Sequence, residues 1–599
     1  MKLSDYIFCQ LRQWGSRHVF LITGGGAMHL NDSIGTSGLS YICTHHEQAA
    51  AMAAEGYARI AGKPGILNVT TGPGSINALN GVFGAWTDSI PMLILSGQVK
   101  RETCMATYGL TDLRQLGDQE VDIVRMVKGI TKYSVLVAEP ESIAYHLERA
   151  WHLAQSGRPG PCWLDIPVDV QSVQIEPAQL RHYDPAEDML RFDRATIAEQ
   201  VADVLERIAK AERPVILAGS GVRIGGALRE FEQVIGALRI PVVTAWTHDL
   251  VASDDEFFCG RAGTIGERAG NFTVQNADLL LTLGSRLNIR QTSYNWNSFA
   301  RFATKIQVDV DPAELRKPLH QPDIPICCDV KLFLAEMAKQ LEGGNPSDSR
   351  HEKWLDHARR WKEKYPVVQP RQRVAGPPLN PYDFIDKLFE MLGPEDAVVC
   401  GNATACIVPY QTGKLKKGER LISNSGSASM GYDLPAAIGV CVAKGGRTIC
   451  IAGDGSLQMN VQELQTLVGN KLPVKLFVLN NGGYLSIRQT QTGFFQGRKI
   501  GESPESGVTF PKMKRIGEAY GIPSFSITNV ADLDIVRREL ATDGPTLFDV
   551  ALDPSQEFEP RLRSRILPDG KILTPNLEDM YPFLTAEELA SNMLVEERK

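Results

Sequence analysis

Short apolar runs alternate along the chain with stretches whose apolar residues recur at helical spacing. The runs HVFLITGGG, PGILNVTTGPG, PMLILSG and GPCWLDIP end in glycine or proline, and similar runs recur after residue 213 and again after residue 396. Continuous apolar runs of this length are typical of strands buried on both faces, as in parallel sheets covered by helices. The pattern therefore predicts an α/β protein built from doubly wound parallel sheets.

Polar stretches divide this alternation into three segments and a tail. The predicted ranges are 1–175 for a first domain, 190–342 for a central domain, 375–557 for a third domain and 558–599 for the tail. Each of the three longer ranges has the length of one ordinary domain. Part of the tail, LEDMYPFLTAEELASNML, has helical periodicity, and no role for it follows from its residues.

The composition and charge of the chain restrict the kinds of partner that the protein is expected to bind. The 599 residues carry a net charge of −7 without a basic stripe, which argues against nucleic acid as a partner. The N-terminal MKLSDYIFCQLRQWG predicts an amphipathic helix rather than a signal peptide, and no apolar run has the length of a membrane span. The eleven cysteines form no CxxC pair, so reduced thiols are expected. These features predict a cytoplasmic protein without a membrane partner.

The most specific motif lies in the third domain. Gly453-Asp454-Gly455 follows the apolar run TICIA and opens a helical stretch, while Asn480-Asn481 ends the next apolar run, VKLFVL. Glycines between a strand and a helix let backbone N–H groups approach phosphate oxygens. The Asp454 carboxylate and the side-chain oxygen of Asn481 are hard ligands that suit Mg²⁺. A glycine–aspartate turn alone is also a common structural element, so the two-strand context carries the functional interpretation.

This motif closely resembles the one that binds thiamine diphosphate and magnesium in thiamine-diphosphate enzymes. The resemblance implies that Asp454, Asn481 and the backbone carbonyl of Gly483 bind the metal. The implied contacts of the diphosphate are Gly453, Gly455, Ser456, Gly401 and Asn402. At the last two positions, in CGNAT, the chain departs from the usual Gly-Gln of the family.

A second match lies in the first domain. The stretch THHEQAAAMAAEGYARIAGKPGILNVTTGPGSINALNG resembles the pyrimidine-binding half of the same superfamily. The resemblance implies that Glu47 hydrogen-bonds the aminopyrimidine ring and promotes formation of the reactive ylid, as a catalytic acid–base group. It also makes Gly25 a candidate catalytic residue and Asn77 a candidate cofactor contact. Taken alone, Glu47 could be an ordinary helix-start glutamate, and the neighbouring His46 could be either structural or catalytic.

A third match, NSGSASMGYDLPAAIG, supplies the centre of the implied cofactor site. Met430 stands at the position of the bulky residue that holds the cofactor in a bent conformation. The Ala428 carbonyl and the Met430 N–H would hold the aminopyrimidine. In this superfamily the glutamate and the diphosphate site come from different subunits. The resemblance therefore implies a homodimer or homotetramer with active sites at the subunit interface.

The chain up to about residue 555 resembles the large subunit of acetolactate synthase, on stretches such as GRPGPCWLDIPVDVQ and IQVDVDPAEL. In that group the central domain carries FAD, which is therefore an expected cofactor here. The candidate flavin contacts are Gly260, Arg261, Gly284, Ser285 and Arg286. The same glycines also suit a plain doubly wound domain in which they only form turns.

Departures from that group fall where the second substrate is expected. Thr490 replaces the usual tryptophan, and Asp118-Gln119 replaces a phenylalanine–glutamine pair. Smaller and more polar groups predict a larger or more polar acceptor. Gln119 is a candidate for positioning that acceptor, and it could equally close a loop.

The predicted function is a carboligase that decarboxylates pyruvate and transfers the activated acetaldehyde unit to a carbonyl acceptor, such as a ketone or a keto-sugar nucleotide. The alternative is acetolactate synthesis, with pyruvate as the acceptor. A flavin-linked pyruvate oxidase and a catalytically silent paralogue are further alternatives. The presence of Glu47, Asp454 and Asn481 together argues against the silent paralogue.

Overall fold

The computed structural model describes residues 1–245, 249–344, 349–566 and 571–595. It contains three six-stranded sheets whose defined strand pairs are parallel, so the predicted fold class is confirmed. Residues 567–570 and 596–599 of the predicted tail lie outside the described part. Within that part, no helix is long and apolar enough to cross a membrane. All eleven cysteines are free thiols.

The first sheet lies near the N-terminus. Its strands are β1 (His18–Leu21), β2 (Ser40–Cys43), β3 (Gly65–Val69), β4 (Met92–Gln98), β5 (Tyr133–Leu136) and β6 (Pro161–Pro167). They pair in the order β2-β1-β3-β4-β6-β5. The helices are α1 (Leu3–Gln13), α2 (Met28–Thr36), α3 (Glu47–Ala61), α4 (Pro73–Asn77), α5 (Leu79–Asp88), α6 (Ile123–Val127), α7 (Ile143–Gln155) and α8 (Val168–Gln171). The amphipathic helix predicted at the N-terminus is confirmed by α1, which buries Leu3, Ile7 and Leu11.

The central sheet follows. Its strands are β7 (Pro214–Ala218), β8 (Val242–Ala245), β9 (Phe258–Ala262), β10 (Leu279–Leu283), β11 (Thr304–Asp309) and β12 (Ile324–Cys327). The helices are α9 (Arg194–Lys210), α10 (Gly221–Ile224), α11 (Leu228–Leu238), α12 (Arg268–Gln275), α13 (Ile289–Thr292), α14 (Val330–Leu341) and α15 (Ser349–Lys364). The strand order is β12-β11-β10-β7-β8-β9, so the chain direction across the sheet reverses between β7 and β10. This is the strand order of dinucleotide-binding folds, which place their ligand at that reversal.

The third and fourth strands of the third sheet lie next to each other at its centre. Its strands are β13 (Ala397–Cys400), β14 (Arg420–Ile422), β15 (Thr448–Gly453), β16 (Val474–Asn480), β17 (Ser524–Ile527) and β18 (Thr546–Ala551). The order is β14-β13-β15-β16-β18-β17. The helices are α16 (Pro381–Met391), α17 (Thr404–Thr412), α18 (Asp433–Lys444), α19 (Asp454–Gln458), α20 (Leu464–Gly469), α21 (Leu485–Phe494), α22 (Met513–Ala519) and α23 (Leu533–Leu540).

The chain forms two compact units. One unit comprises residues 1–190, 397–405 and 423–551, and the other comprises 191–396, 406–422 and the tail. Because each unit joins segments distant in sequence, the domain ranges predicted from the sequence stay predictions.

The tail belongs to the same unit as the central sheet. It forms a short antiparallel pair, β19 (Arg565–Ile566) and β20 (Ile572–Leu573), and one helix, α24 (Ala586–Ser591). The amide of Gln275 in α12 donates to the Glu578 carboxylate at 2.6 Å, so the tail packs on the central domain. The helix is shorter than the periodic stretch because Pro582 cannot donate a backbone hydrogen bond inside a helix.

Helices α3 and α18 pack against each other through small residues. A Cβ atom on Gly439 would lie 1.8 Å from the Ala53 carbonyl oxygen, and one on Gly56 would lie 2.5 Å from the Ala436 carbonyl oxygen. Real side chains cannot approach that closely, so the two backbones are in direct contact. The contact fixes α3, which begins at Glu47, against the third sheet's α18.

A buried polar network lies beside this contact. Tyr432 donates to one Glu55 carboxylate oxygen at 2.6 Å, and Arg59 donates to the other at 2.7 Å. Arg59 also donates to Asp88 of α5 at 2.8 Å. The Glu55 side chain is 1% exposed, so its charge is balanced inside the protein by Arg59. The network ties α3, α5 and α18 together.

We expect Gly439→Ala to destabilise the protein by about 1–3 kcal/mol, because the added methyl group forces the two backbones apart. The midpoint of thermal unfolding, followed by circular dichroism, measures the effect. Gly469→Ala is the matched control, since nothing lies within 4 Å of a Cβ atom built at that helical glycine. Equal midpoints for the two variants would contradict the close contact between α3 and α18.

Candidate cofactor and metal site

The GDG and NN motifs meet at the carboxyl edge of the third sheet. Strand β15 ends at Gly453, and α19 begins at Asp454. The neighbouring strand β16 pairs in parallel with β15, with Gly453 opposite Leu479. Because parallel strands end at the same edge, Asp454 and Asn481 come together there, as their positions after successive strands predict.

The Asp454 carboxylate is held by backbone donors on both sides. One oxygen accepts the N–H of Gly455 at 2.7 Å, and the other accepts the N–H of Gly483 at 3.0 Å. Asp454 is 2% exposed, and this burial raises the pKa of its carboxyl group to about 6. The two motifs are therefore joined through one carboxylate, whose remaining lone pairs are available to a cation.

Asn481 presents an acceptor that lacks a protein partner. Its amide nitrogen donates to the Thr404 hydroxyl at 3.2 Å, which fixes the orientation of the side chain. Its side-chain oxygen is buried and has no hydrogen-bond partner in the part of the chain that the structure describes. A buried oxygen without a donor is costly unless a cation or a ligand satisfies it. The donor set of carboxylate, amide oxygen and backbone carbonyl consists of hard oxygens, so these residues fit Mg²⁺.

Two glycines of the site have no space for a side chain. A Cβ atom on Gly455 would lie 2.1 Å from the Tyr484 ring, and one on Gly483 would lie 2.0 Å from the Glu502 carbonyl oxygen. Gly483 also has φ of +139°, which side chains rarely allow. Both positions therefore require glycine for this arrangement of the two turns to form.

The hydroxyl of Ser456 is already engaged inside the domain. It donates to Asp433 at 2.5 Å and accepts the N–H of Gly431 at 2.8 Å. A Cβ atom on Gly401 would lie 2.5 Å from the same Asp433 carboxylate. Asp433 thus organises the diphosphate-side residues, and a diphosphate contact of Ser456 is expected from its backbone rather than from its hydroxyl.

The loop predicted to hold the aminopyrimidine has an unusual backbone. Ala428 adopts φ of +53°, and its carbonyl accepts the Asn402 amide at 3.2 Å. Ser429 donates to Asn80 of α5 at 2.6 Å, and the half-buried Met430 follows directly. The structure therefore places Asn402 against Ala428, two residues before Met430, and their binding of the cofactor stays a prediction.

Glu47 is the first residue of α3 and lies against α4. The Asn77 amide donates to one carboxylate oxygen at 3.0 Å. A Cβ atom at Gly74 would lie 3.3 Å from the other oxygen and 2.7 Å from the Thr70 side chain, so this close packing requires glycine. The His46 ring accepts the N–H of Gln48 at 3.0 Å, which makes it the cap of α3. Glu47 and Asn77, both predicted site residues, are thus directly bonded.

Gly25 and Gln119 lie on two segments that approach the same turn. The N–H of Gly26, next to the exposed Gly25, donates to the Thr70 hydroxyl at 3.1 Å. Gln119 has φ of +64°, and its carbonyl oxygen would lie 2.2 Å from a Cβ atom on Gly72. The backbone of Gln119 closes on the turn, while its side chain is exposed.

The candidate flavin contacts divide into two groups in the central sheet. Gly284, Ser285 and Arg286 follow β10 at the reversal of strand order, where Gly284 accepts the N–H of Gly221 at 2.9 Å. Gly260 and Arg261 lie in β9, which β7 and β8 separate from β10. The Arg261 guanidinium is 4% exposed and donates to Glu267 at 3.0 Å, so its charge is balanced inside the domain.

Comparisons with known proteins agree with this geometry. Family models match residues 1–126 as the thiamine pyrophosphate enzyme N-terminal TPP binding domain, 201–337 as the central domain and 401–550 as the C-terminal TPP binding domain. The chain is 32% identical to the Escherichia coli acetolactate synthase isozyme 2 large subunit, over 97% of this chain and 100% of that protein. It is 32% identical to maize chloroplastic acetolactate synthase 1, over 94% and 87%, and 30% identical to the Lactococcus lactis large subunit, over 95% and 96%.

The chain belongs to the thiamine pyrophosphate enzymes. Within that family it is an acetolactate-synthase-like enzyme that depends on thiamine diphosphate, and its activity is that of a carboligase.

Several residues of the site escape sequence reasoning. Thr404 orients Asn481, and Asp433 holds Ser456. Both are polar residues within the recognised motifs. Only their burial, which the structure shows, marks them as functional. Glu502 lies in an irregular segment, where no periodicity indicates which residues it approaches.

We expect Asp454→Ala to abolish the Mg²⁺-dependent retention of thiamine diphosphate, because the variant loses the single carboxylate of the candidate metal site. Retention after gel filtration in the presence of Mg²⁺ measures the effect. Asp534→Ala is the matched control, since that side chain is 86% exposed on α23 of the same domain. Unchanged retention in Asp454→Ala would refute the metal-binding role.

Proposed function

We propose that the enzyme decarboxylates pyruvate and transfers the two-carbon unit to the carbonyl carbon of a second pyruvate, which yields acetolactate. The observation that carries the proposal is the meeting of the Asp454 carboxylate with the orphaned Asn481 oxygen at the ends of adjacent strands. The acetolactate synthases that match the chain over nearly its whole length support pyruvate as the acceptor. The larger acceptor predicted from the sequence therefore takes second place.

We propose Mg²⁺ as the metal, bound by Asp454, Asn481 and the carbonyl of Gly483. These three protein oxygens leave about three of the six octahedral positions to the diphosphate and water. Thiamine diphosphate, when bound, supplies the electron sink on which a 2-oxo acid loses carbon dioxide.

We assign to Glu47 the exchange of a proton with the N1′ atom of the aminopyrimidine. Asn77 holds one oxygen of the carboxylate at 3.0 Å and so limits its rotation. The other oxygen faces Gly74, which has no side chain to compete for it. A carboxyl group positioned in this way can act as the acid–base residue that the reaction requires.

We propose that Glu47 acts on the cofactor of a second subunit. Within one chain, Tyr432, two residues after Met430, bonds Glu55 rather than Glu47. Glu47 lies eight residues earlier, about 12 Å along α3. Exposed apolar side chains near this site suit a subunit interface, and they include Ile76, Phe83, Trp86, Leu113 and Leu116.

A larger ketone or a keto-sugar nucleotide is the second candidate acceptor, and Thr490 favours it. Thr490 is exposed on α21, and its hydroxyl donates to the Ser486 carbonyl at 3.0 Å. The hydroxyl therefore points back to the preceding turn of the helix. The small side chain leaves unoccupied the space that a tryptophan at this position would fill. Gln119 lies on the segment that closes on the turn beside Glu47, which keeps it a candidate for contacting the acceptor.

FAD remains a proposal for the central domain. Its support is the position of Gly284, Ser285 and Arg286 at the reversal of strand order, where dinucleotides bind in this type of sheet. No step of the proposed reaction requires it.

We expect Glu47→Gln to lower turnover by at least about 100-fold, the scale of a lost acid–base group, because an amide cannot exchange the proton. Release of carbon dioxide from pyruvate at saturating cofactor measures the effect. Glu102→Gln, at a side chain that is 72% exposed, is the matched control. Near-normal turnover in Glu47→Gln would remove Glu47 from the reaction.

The acceptor is tested by product analysis with thiamine diphosphate, Mg²⁺ and pyruvate, alone and with aldehydes, cyclic ketones, other 2-oxo acids and keto-sugar nucleotides. We expect carbon dioxide release without oxygen consumption, and acetolactate from pyruvate alone. Product formation only when a ketone or keto-sugar nucleotide is added would favour the second candidate. Oxygen consumption with peroxide formation would indicate a pyruvate oxidase, and no turnover with any 2-oxo acid would indicate a silent paralogue.

A further inference from the structure

The metal-binding turn is covered by a segment that the proposed reaction does not use. This segment, residues 500–506, is called the strap. The Glu502 carbonyl accepts the N–H of Tyr484 at 2.8 Å, directly after Gly483. The Gln491 amide group donates to the Ile500 carbonyl at 3.1 Å and accepts its N–H at 3.0 Å. The strap is therefore hydrogen-bonded both to the turn and to α21.

Arg488 connects the strap with the turn. Its Nε donates to the Glu502 carboxylate at 2.6 Å, and its Nη2 donates to the Gly482 carbonyl at 3.1 Å. A longer contact of 3.5 Å reaches the Asn481 carbonyl from Nη1. One planar guanidinium thus binds the strap on one side and two consecutive carbonyls of the turn on the other, a geometry that the single ammonium of lysine cannot reproduce.

The Glu502 carboxylate is held in one place. Its side chain is 1% exposed, while that of Arg488 is 17% exposed. The Ser503 hydroxyl donates to the second carboxylate oxygen at 2.8 Å. A buried carboxylate with a cationic partner and a hydroxyl donor is a fixed anchor for the guanidinium, because losing the guanidinium would leave an uncompensated buried charge.

The turn itself is intrinsically flexible. Gly482 and Gly483 both have positive φ, of +69° and +139°. Glycine pairs lose more conformational freedom on ordering than other residues, and a ligand that must order them binds less tightly. Contacts that hold the turn before the ligand arrives therefore raise metal affinity.

We propose that the Arg488–Glu502 ion pair is a positioning element that preorganises the turn 481–483 for the metal ion. It acts through the carbonyls of Asn481 and Gly482, so that the Asn481 side-chain oxygen and the Gly483 carbonyl face the ion before it binds. Neither side chain is among the proposed metal ligands, and both act through the backbone of the turn. The inference rests on the proposed Mg²⁺ site and adds to it the residues that set its affinity.

The test is a titration of the cofactor-free protein with Mg²⁺ at a fixed concentration of thiamine diphosphate, with binding followed by intrinsic tryptophan fluorescence and by calorimetry. The variants are Arg488→Met, Arg488→Lys and Glu502→Gln. We expect the half-saturating Mg²⁺ concentration to rise by about 10–100-fold in Arg488→Met and Glu502→Gln, the range for partners that orient metal ligands. Arg537→Met, which removes a 67%-exposed arginine on α23, should leave it unchanged.

Arg488→Lys separates positioning from stability. Lysine keeps a charge for Glu502 but cannot hold both carbonyls, so we expect a near-wild-type melting temperature with an about tenfold higher Mg²⁺ requirement. A folded Arg488→Lys protein with the wild-type Mg²⁺ requirement would overturn the inference and leave the proposed function intact. A wild-type protein without Mg²⁺-dependent cofactor binding would overturn both.

Discussion

The position of the Asp454 carboxylate is the constraint on which the cofactor site depends. The carboxylate is buried at the carboxyl edge of a parallel sheet, between the N–H groups of Gly455 and Gly483. Because one of these donors follows β15 and the other follows β16, the same side chain fixes the relative position of both motifs. Glycine at both donors allows the backbone to approach, since a Cβ atom at either position would collide with Tyr484 or Glu502. The register of β15 and β16, the conformation of the two turns and the position of the candidate ligands therefore all depend on this one side chain.

The first domain meets a different requirement, which is to hold a carboxylate at the start of a helix. Glu47 begins α3, and the remainder of α3 is fixed against α18 by backbone contact at Gly56 and Gly439. Glu55 adds a buried bond to Tyr432, which immediately precedes α18. The end of the helix that carries Glu47 can thus remain accessible while the rest of the helix is rigid. Such a division suits the role proposed for Glu47, which is to act on the bound cofactor.

Period and topology explain which features follow from the sequence. The three sheets follow from continuous apolar runs, and the meeting of Asp454 with Asn481 follows from parallel strands that end at one edge. Contacts between irregular segments cannot be predicted from the sequence, because no local pattern relates the two partners. One example is the ion pair of Arg488 with Glu502. Another is the packing of the tail on α12. His46 shows a further limit of prediction from the sequence. A histidine at the start of a helix suits both a helix cap and a catalytic group. Only its hydrogen bond with the N–H of Gln48 identifies it as the cap.

Charge balance explains why metal and cofactor are expected to bind together. Of the three proposed protein ligands, only Asp454 carries a charge, while Asn481 and the Gly483 carbonyl are neutral. A divalent cation placed on them retains a net positive charge in a buried position, which is unfavourable without further anions. The oxygens of a diphosphate supply that charge, and the glycine-rich start of α19 offers them backbone donors. The proposed ligand set therefore suits a metal–diphosphate complex better than a free ion. The buried Asn481 oxygen without a hydrogen-bond partner agrees with this conclusion. As a neutral ligand it can coordinate the cation and leave the remaining positive charge to be balanced by the diphosphate.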